Sequence, residues 1–294
     1  MKHSREHARL QLSAGFSLIE LLMAITVLII VAGAAFGLLA KMQQSHGSTT
    51  ARGEMHAGVR SATELLIQEI GQAGAVSFPA STLSAVVTGS STAQTVAVSS
   101  NSYMFVGENV LVDAGSSKEI VALTAVGSGT ISGVFTMNHA SAAVVAPVGV
   151  FAQGILSSSN STQLRMIGDI NNDGTLVLVE YDCVPPTLTR SITPITNSTK
   201  NTPDTLLDNL VANPGGTACF TYQPTVASAG FNFIPGVGLT LSTQTTVLDP
   251  VTGTNSTMTK SFLNLAPRNV LAGVTLAGNG NTDHIQPAPA SLPQ

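Results

Sequence analysis

Residues 15–40 read GFSLIELLMAITVLIIVAGAAFGLLA, and Glu20 is the sole charge in the stretch. From Phe16 to Ala40 the run is long enough to cross a hydrocarbon core of about 30 Å as a helix. Residues 1–15, MKHSREHARLQLSAG, are short and polar, with Lys2, Arg5 and Arg9 outnumbering Glu6. That balance predicts a cytoplasmic N-terminus by the positive-inside rule. A secretory signal would be cut after its apolar stretch. No small-x-small site with a clean break follows here, and the apolar helix runs on into a polar one.

Glu20 is out of place. A carboxylate in such a run costs on the order of 2–3 kcal/mol, so it needs a partner or a route to water. In a plain signal anchor it would snorkel. If the chain is cut before Phe16, the new amine lies one helical turn from Glu20 and neutralises it, in the same subunit or a neighbouring one. The positive end of the helix dipole favours the acid at this position as well.

Gly15-Phe16-Ser17-Leu18-Ile19-Glu20 followed by a long apolar run resembles the class III signal of type IV pilins and type II secretion pseudopilins. The resemblance implies cleavage by a prepilin peptidase between Gly15 and Phe16 and N-methylation of Phe16. It also implies an assembly role for Glu20 in docking subunits into a filament. It covers about the first 40 residues. Many major pilins carry a Pro near the middle of this helix, where this chain has Gly33 and Gly37. Each Gly lowers helix stability by about 1 kcal/mol relative to Ala, which serves either close helix packing or local melting.

Beyond Lys41 the helix continues as an amphipathic one through MHAGVRSATELLIQEIGQAGA. Val59, Ala62, Leu66, Ile67 and Ile70 recur at helical spacing and form a stripe that can bury against a sheet. Gly71 and Gly74 end it. Residues 77–152 (TVAVSS, NVLVDAG, EIVALTAV, TISGVFTM, AAVVAPVGVF) read as short strands separated by Gly, Ser and Asn turns. They predict a small antiparallel barrel or sandwich inserted after the helix. Residues 153–276 return to longer antiparallel strands, among them QLRMIGD, TLVLVEYDC, TLTRSIT, ACFTYQ and VGLTLSTQTTVLD. The helix end RSATELLIQEIGQAGA, together with Arg190 and with Pro267, Arg268 and Asn269, resembles PilW/PulJ-type minor pilins. Residues 277–294 show no apolar period and are expected to be disordered.

The composition supports export. About 10% of residues are charged, against the quarter usual in soluble domains, and Trp is absent. The basic residues are scattered, which gives no footprint for nucleic acid. Cys183 and Cys219 both lie downstream of the apolar run. In an exported domain a disulfide is the economical reading, the alternative being two unpaired buried thiols. Alkylation with and without reductant separates the two by mass.

One motif points to a metal. Asp169, Asn171, Asp173, Gly174 and Glu180 match the D-x-[DN]-x-[DN]-G-x5-E pattern of a calcium loop. Asp169, Asn171, Asp173, Thr175 and Glu180 would then supply oxygens to one hard cation. The flanking runs are strand-like, and Asn-Asn-Asp-Gly is equally a hairpin turn. His139 stands without a second His nearby and is expected to be structural. No H-E-x-x-H, G-x-S-x-G or P-loop occurs, so no enzyme is expected, and no cofactor beyond the calcium ion.

The expectation is an α+β pilin fold with a long N-terminal helix, transmembrane over 16–40, packed on an antiparallel sheet with an inserted β subdomain. The chain would be single-pass in the inner membrane, with a cytoplasmic leader (1–15) and an exported C-terminal domain. It would then pass into a type IV pilus or type II secretion pseudopilus as a minor pilin or pseudopilin. Its partners would be other pilins, the prepilin peptidase and the inner membrane. The rival reading is a pilus-delivered adhesin or ligand-binding module that uses the insert.

Overall fold

The computed structural model describes residue 15 and residues 17–293. It is an α+β protein with one long N-terminal helix followed by several antiparallel sheets. Phe16, and with it the methylation site, lies outside the described residues, as does the leader before Gly15.

Helix α1 (Leu18–Gln72) runs unbroken for 55 residues, so Gly33 and Gly37 do not interrupt it. Its two halves differ. No described residue before Ser48 is buried. From there Ser48, Ala51, Met55, Val59, Ala62, Leu66 and Ile70 are buried at three- and four-residue steps, as one face of a helix requires. Ile67 is only half-buried, at the edge of the stripe. At the end of the helix Gly74 takes φ +88°, and a Cβ there would crowd the Phe151 carbonyl and Val270.

Eight short strands follow: β1 (Ser81–Thr82), β2 (Gln94–Ala97), β3 (Asn109–Val112), β4 (Glu119–Ala122), β5 (Ala125–Gly127), β6 (Thr130–Gly133), β7 (Val144–Pro147) and β8 (Val150–Phe151). They make two antiparallel sheets, ordered β1-β7-β3-β4 and β2-β6-β5, while β8 leaves the insert. Val96, Val110, Val112, Val121, Ile131, Phe135 and Val145 form a core in which every buried member lies between Phe78 and Val145.

The strands of the helix-bearing domain are β9 (Gln163–Gly168), β10 (Val177–Val184), β11 (Thr187–Pro194), β12 (Asp204–Leu207), β13 (Leu210–Val211), β14 (Phe220–Tyr222), β15 (Val226–Ser228), β16 (Phe231–Phe233), β17 (Val237–Gln244) and β18 (Thr257–Leu265). One sheet is ordered β12-β11-β10-β9; in the other, β17 pairs with β13, β14 and β18. Alternate residues of β10 (Val179, Tyr181, Cys183) join Leu164, Met166, Leu188, Leu239 and Leu241 against the buried stripe of α1. Burying each large apolar side chain there stabilises the fold by roughly 1.5–3 kcal/mol.

The C-terminal end departs from the sequence reading. Pro267 precedes a second helix, α2 (Arg268–Gly278), in a region read only as strands. Its buried residues Val270, Gly273 and Ala277 fall at helical spacing, and Asn269 Nδ2 caps the end of α1 by donating to the Gln72 carbonyl at 2.9 Å. The tail expected to be disordered is ordered as far as residue 293. A two-residue strand, β19 (Ile285–Gln286), pairs in parallel with β8. Ile285 is buried with Ala152, Phe233, Val270 and Ala277. Burial of Ile285 and Gln286 and pairing of one strand hold this segment, and neither leaves a period to read.

Candidate functional site

The candidate site is the exposed half of α1. Ser17 begins the helix in an extended conformation, and its carbonyl accepts from the Glu20 and Leu21 amides at 3.0 and 3.1 Å. This places Glu20 in the first turn, at the positive end of the helix dipole. Residues 18–47 stand clear of the β domains over roughly 45 Å of helix at 1.5 Å per residue. Leu18, Ile19, Leu22, Met23, Ile30 and Phe36 are all more than half exposed. Thr26 is satisfied within the helix, its hydroxyl donating to the Leu22 and Met23 carbonyls at 3.1 and 2.9 Å. Such internal pairing suits a surrounding that offers no water. By length and composition α1 is the one described helix able to cross a membrane.

The two cysteines are joined: Cys183 on β10 and Cys219 just before β14 form a disulfide that closes 36 positions of sequence. It links the two sheets beneath α1.

The structure does not gather the residues of the calcium motif into one ligand set. Asp169 is buried, and its two carboxylate oxygens are spent on the turn. Oδ1 accepts from the Asp173 amide at 3.0 Å, and Oδ2 from the Gly174 amide at 2.9 Å and the Ser77 hydroxyl at 2.6 Å. Asn172 and Gly174 take positive φ, as a tight turn between strands demands. Glu180 lies midway along β10 and is bound elsewhere, to Arg165 Nε at 2.7 Å and Lys200 Nζ at 3.0 Å. Asp173 uses Oδ1 to accept from the Thr175 amide, and Asn171 is exposed. Among the described residues no three His, Cys, Asp or Glu gather as a metal site.

His139 is wholly buried in the insert. Its Nε2 lies 2.6 Å from Glu119 Oε1 and its Nδ1 3.2 Å from Asp113 Oδ2. Burial raises the Glu119 carboxyl, but hydrogen bonds from Thr136, His139 and Met137 outweigh it and hold the group below the usual range. The arrangement clasps the β3–β4 hairpin to the loop that carries His139.

Two buried acids escaped the sequence reading. Glu69 lies on the buried face of α1 and meets Arg190 and Tyr181. Its place beside Ile70 on the apolar stripe was the available signal. Glu108, in the insert, is fully buried with Oε1 unpartnered; no local pattern marks it. Protein-family models, curated proteins and solved structures contain no match to the chain.

Proposed function

We propose that this chain is a minor pilin or pseudopilin, a structural subunit for the initiation or tip of a type IV pilus or type II secretion pseudopilus. In this reading a prepilin peptidase cuts between Gly15 and Phe16, the new Phe16 amine is methylated, and residues 16–40 hold the subunit in the inner membrane. The subunit then leaves the membrane by packing its apolar helix among those of other pilins. The observation that carries the reading is the helix itself, which leaves its apolar half unburied with a single carboxylate in the first turn.

Glu20 sets register by pairing with the Phe16 amine of a neighbouring subunit. Loss of a pairing worth on the order of 2–3 kcal/mol in hydrocarbon lowers incorporation roughly 30- to 150-fold. The Glu20→Ala variant is therefore expected to be cut after Gly15 yet stay out of the filament. Mass spectrometry of the mature N-terminus with and without the peptidase reads the first step, and immunoblotting of sheared filaments reads the second. A chain left uncut, or normal incorporation of the variant, sinks the mechanism.

A second reading, delivery of a surface adhesin, is favoured by the insert's separate core. Its first and seventh strands pair, Ser81 facing Val145, so the entering and leaving chain lie side by side. Residues 81–147 can thus be replaced by a short glycine linker. Lost surface binding with intact piliation supports the adhesin reading, and lost piliation supports the structural one.

A further inference from the structure

The final described residues cross the junction between the β insert and the helix-bearing domain. Gln286 is wholly buried there. Its Nε2 donates to the carbonyls of Asn109 and Val148, each at 2.7 Å, and its Oε1 accepts from the Asn109 amide at 2.8 Å. Asn109 Nδ2 donates to the Ile285 carbonyl at 3.3 Å, and the Ala152 amide to the Gln286 carbonyl at 3.1 Å. Asn109, the first residue of β3, is thereby tied to the chain terminus on both backbone and side chain.

Glu108 precedes Asn109 and is 0% exposed. Its Oε2 accepts from the Phe105 amide at 3.2 Å, while Oε1 is buried with no partner. Pro287 lies 3.5 Å from where a Cβ on Gly107 would stand, so the terminal segment covers the backbone on both sides of Glu108. A neutral acid tolerates this setting. A carboxylate does not, because burying a charge with one oxygen left without a hydrogen-bond partner carries a large desolvation penalty.

We propose that residues 285–293 form a strap locking the β insert onto the helix-bearing domain, and that the strap opens when the Glu108 carboxyl ionises. Burial, opposed only by the Phe105 amide, pushes Glu108 from the ordinary 4.5 up to about 8. No charged side chain contributes to that rise. Asp113 and the Glu119–His139 pair sit at the far end of the β3–β4 ladder, where Val112 faces Glu119 while Asn109 faces Ala122. Asp283 and His284, in the turn before the strap, bond to each other at 2.9 Å. The folded chain favours the neutral acid. The stability it contributes is therefore complete below about pH 4.5 and is lost as the pH rises through about 8.

Hydrogen exchange on the full chain in detergent micelles, from pH 6 to 9.5, tests the device. Protection factors for the Asn109 and Ala152 amides, corrected for intrinsic rates, are expected to fall about 50-fold between pH 6 and 8 and to level off above that. Amides of β10 and β11 should hold theirs. Glu108→Gln keeps the shape and removes the charge, and should flatten the profile. Gln286→Ala should lower protection of Asn109 and Ala152 at every pH while β10 and β11 stay protected. A flat wild-type profile overturns the proposal, as does an equal fall in Glu108→Gln or a simultaneous loss across β10 and β11.

Discussion

Replacing Arg190 by alanine is expected to lower the unfolding free energy by about 3–5 kcal/mol, because it strands a buried carboxylate. Glu69 is 3% exposed and lies on the helix face that meets the sheet. Arg190 grips both of its oxygens: Nη2 pairs with Oε1, and Nε donates to Oε2 at 3.2 Å. The Tyr181 hydroxyl also donates to Oε2, and Tyr181 faces Arg190 directly across the β10–β11 ladder. Burial first, and then the Glu69 charge, raise the Tyr181 phenol well above its ordinary value, so it stays a donor. Without Arg190 that single O–H faces an ion the interior cannot solvate.

A loss of this size lowers the melting temperature by roughly 10 °C in a chain of this length. Circular dichroism on the full chain in micelles measures it, and a shift equivalent to less than 1 kcal/mol would contradict the assignment. Removing the charges together separates stranded charge from lost packing. Glu69→Leu with Arg190→Met should recover most of the stability, since apolar replacement of a buried ion pair is often neutral or better. It leaves the Tyr181 hydroxyl without its acceptor, a penalty of about 1–3 kcal/mol, which Tyr181→Phe should remove. If the triple variant melts as low as Arg190→Ala, lost packing rather than stranded charge explains the effect.

How far the sequence could be read depends on the range of the contacts. The helix was legible because its information is local. The apolar run and the spacing of Val59, Ala62, Leu66 and Ile70 are properties of a few neighbouring turns. The longer strands were legible for the same reason, as alternation within a few residues. Glu69 was not, since its partner Arg190 lies 121 positions away and a carboxylate on an apolar stripe reads as an edge residue until that partner is known. The calcium pattern is ambiguous for a related reason. Asp169 to Gly174 is the same string whether its oxygens wrap an ion or a turn, and Ser77, Arg165 and Lys200 decide the matter from outside the motif. The tail failed most completely, because Ile285 and Gln286 are held by residues of the insert and of α2 rather than by any repeat of their own. In the candidate site Glu20 and the apolar helix could be read from sequence, while the clear stand of residues 18–47 away from the domain required the fold.

The second large effect belongs to the disulfide. Cys183 and Cys219 are both buried, and the bridge joins β10 to the residue before β14, between sheets that also share a side-chain core with α1 and a backbone hydrogen bond from the Leu210 amide to the Pro186 carbonyl at 2.8 Å. Closing a 36-position loop removes unfolded-state entropy equivalent to about 4 kcal/mol. That is a large fraction of the 5–15 kcal/mol that holds a typical domain together. Cys183→Ala with Cys219→Ala is expected to melt roughly 10 °C below the wild-type chain. Reductant should bring the wild type down toward the double variant and leave the double variant where it is. That asymmetry tells loss of the cross-link from loss of two buried side chains, since reduction keeps both sulfurs in the core. A wild-type melting curve indifferent to reductant, with alkylation showing both thiols freed, would mean that packing alone holds the two sheets beneath the helix.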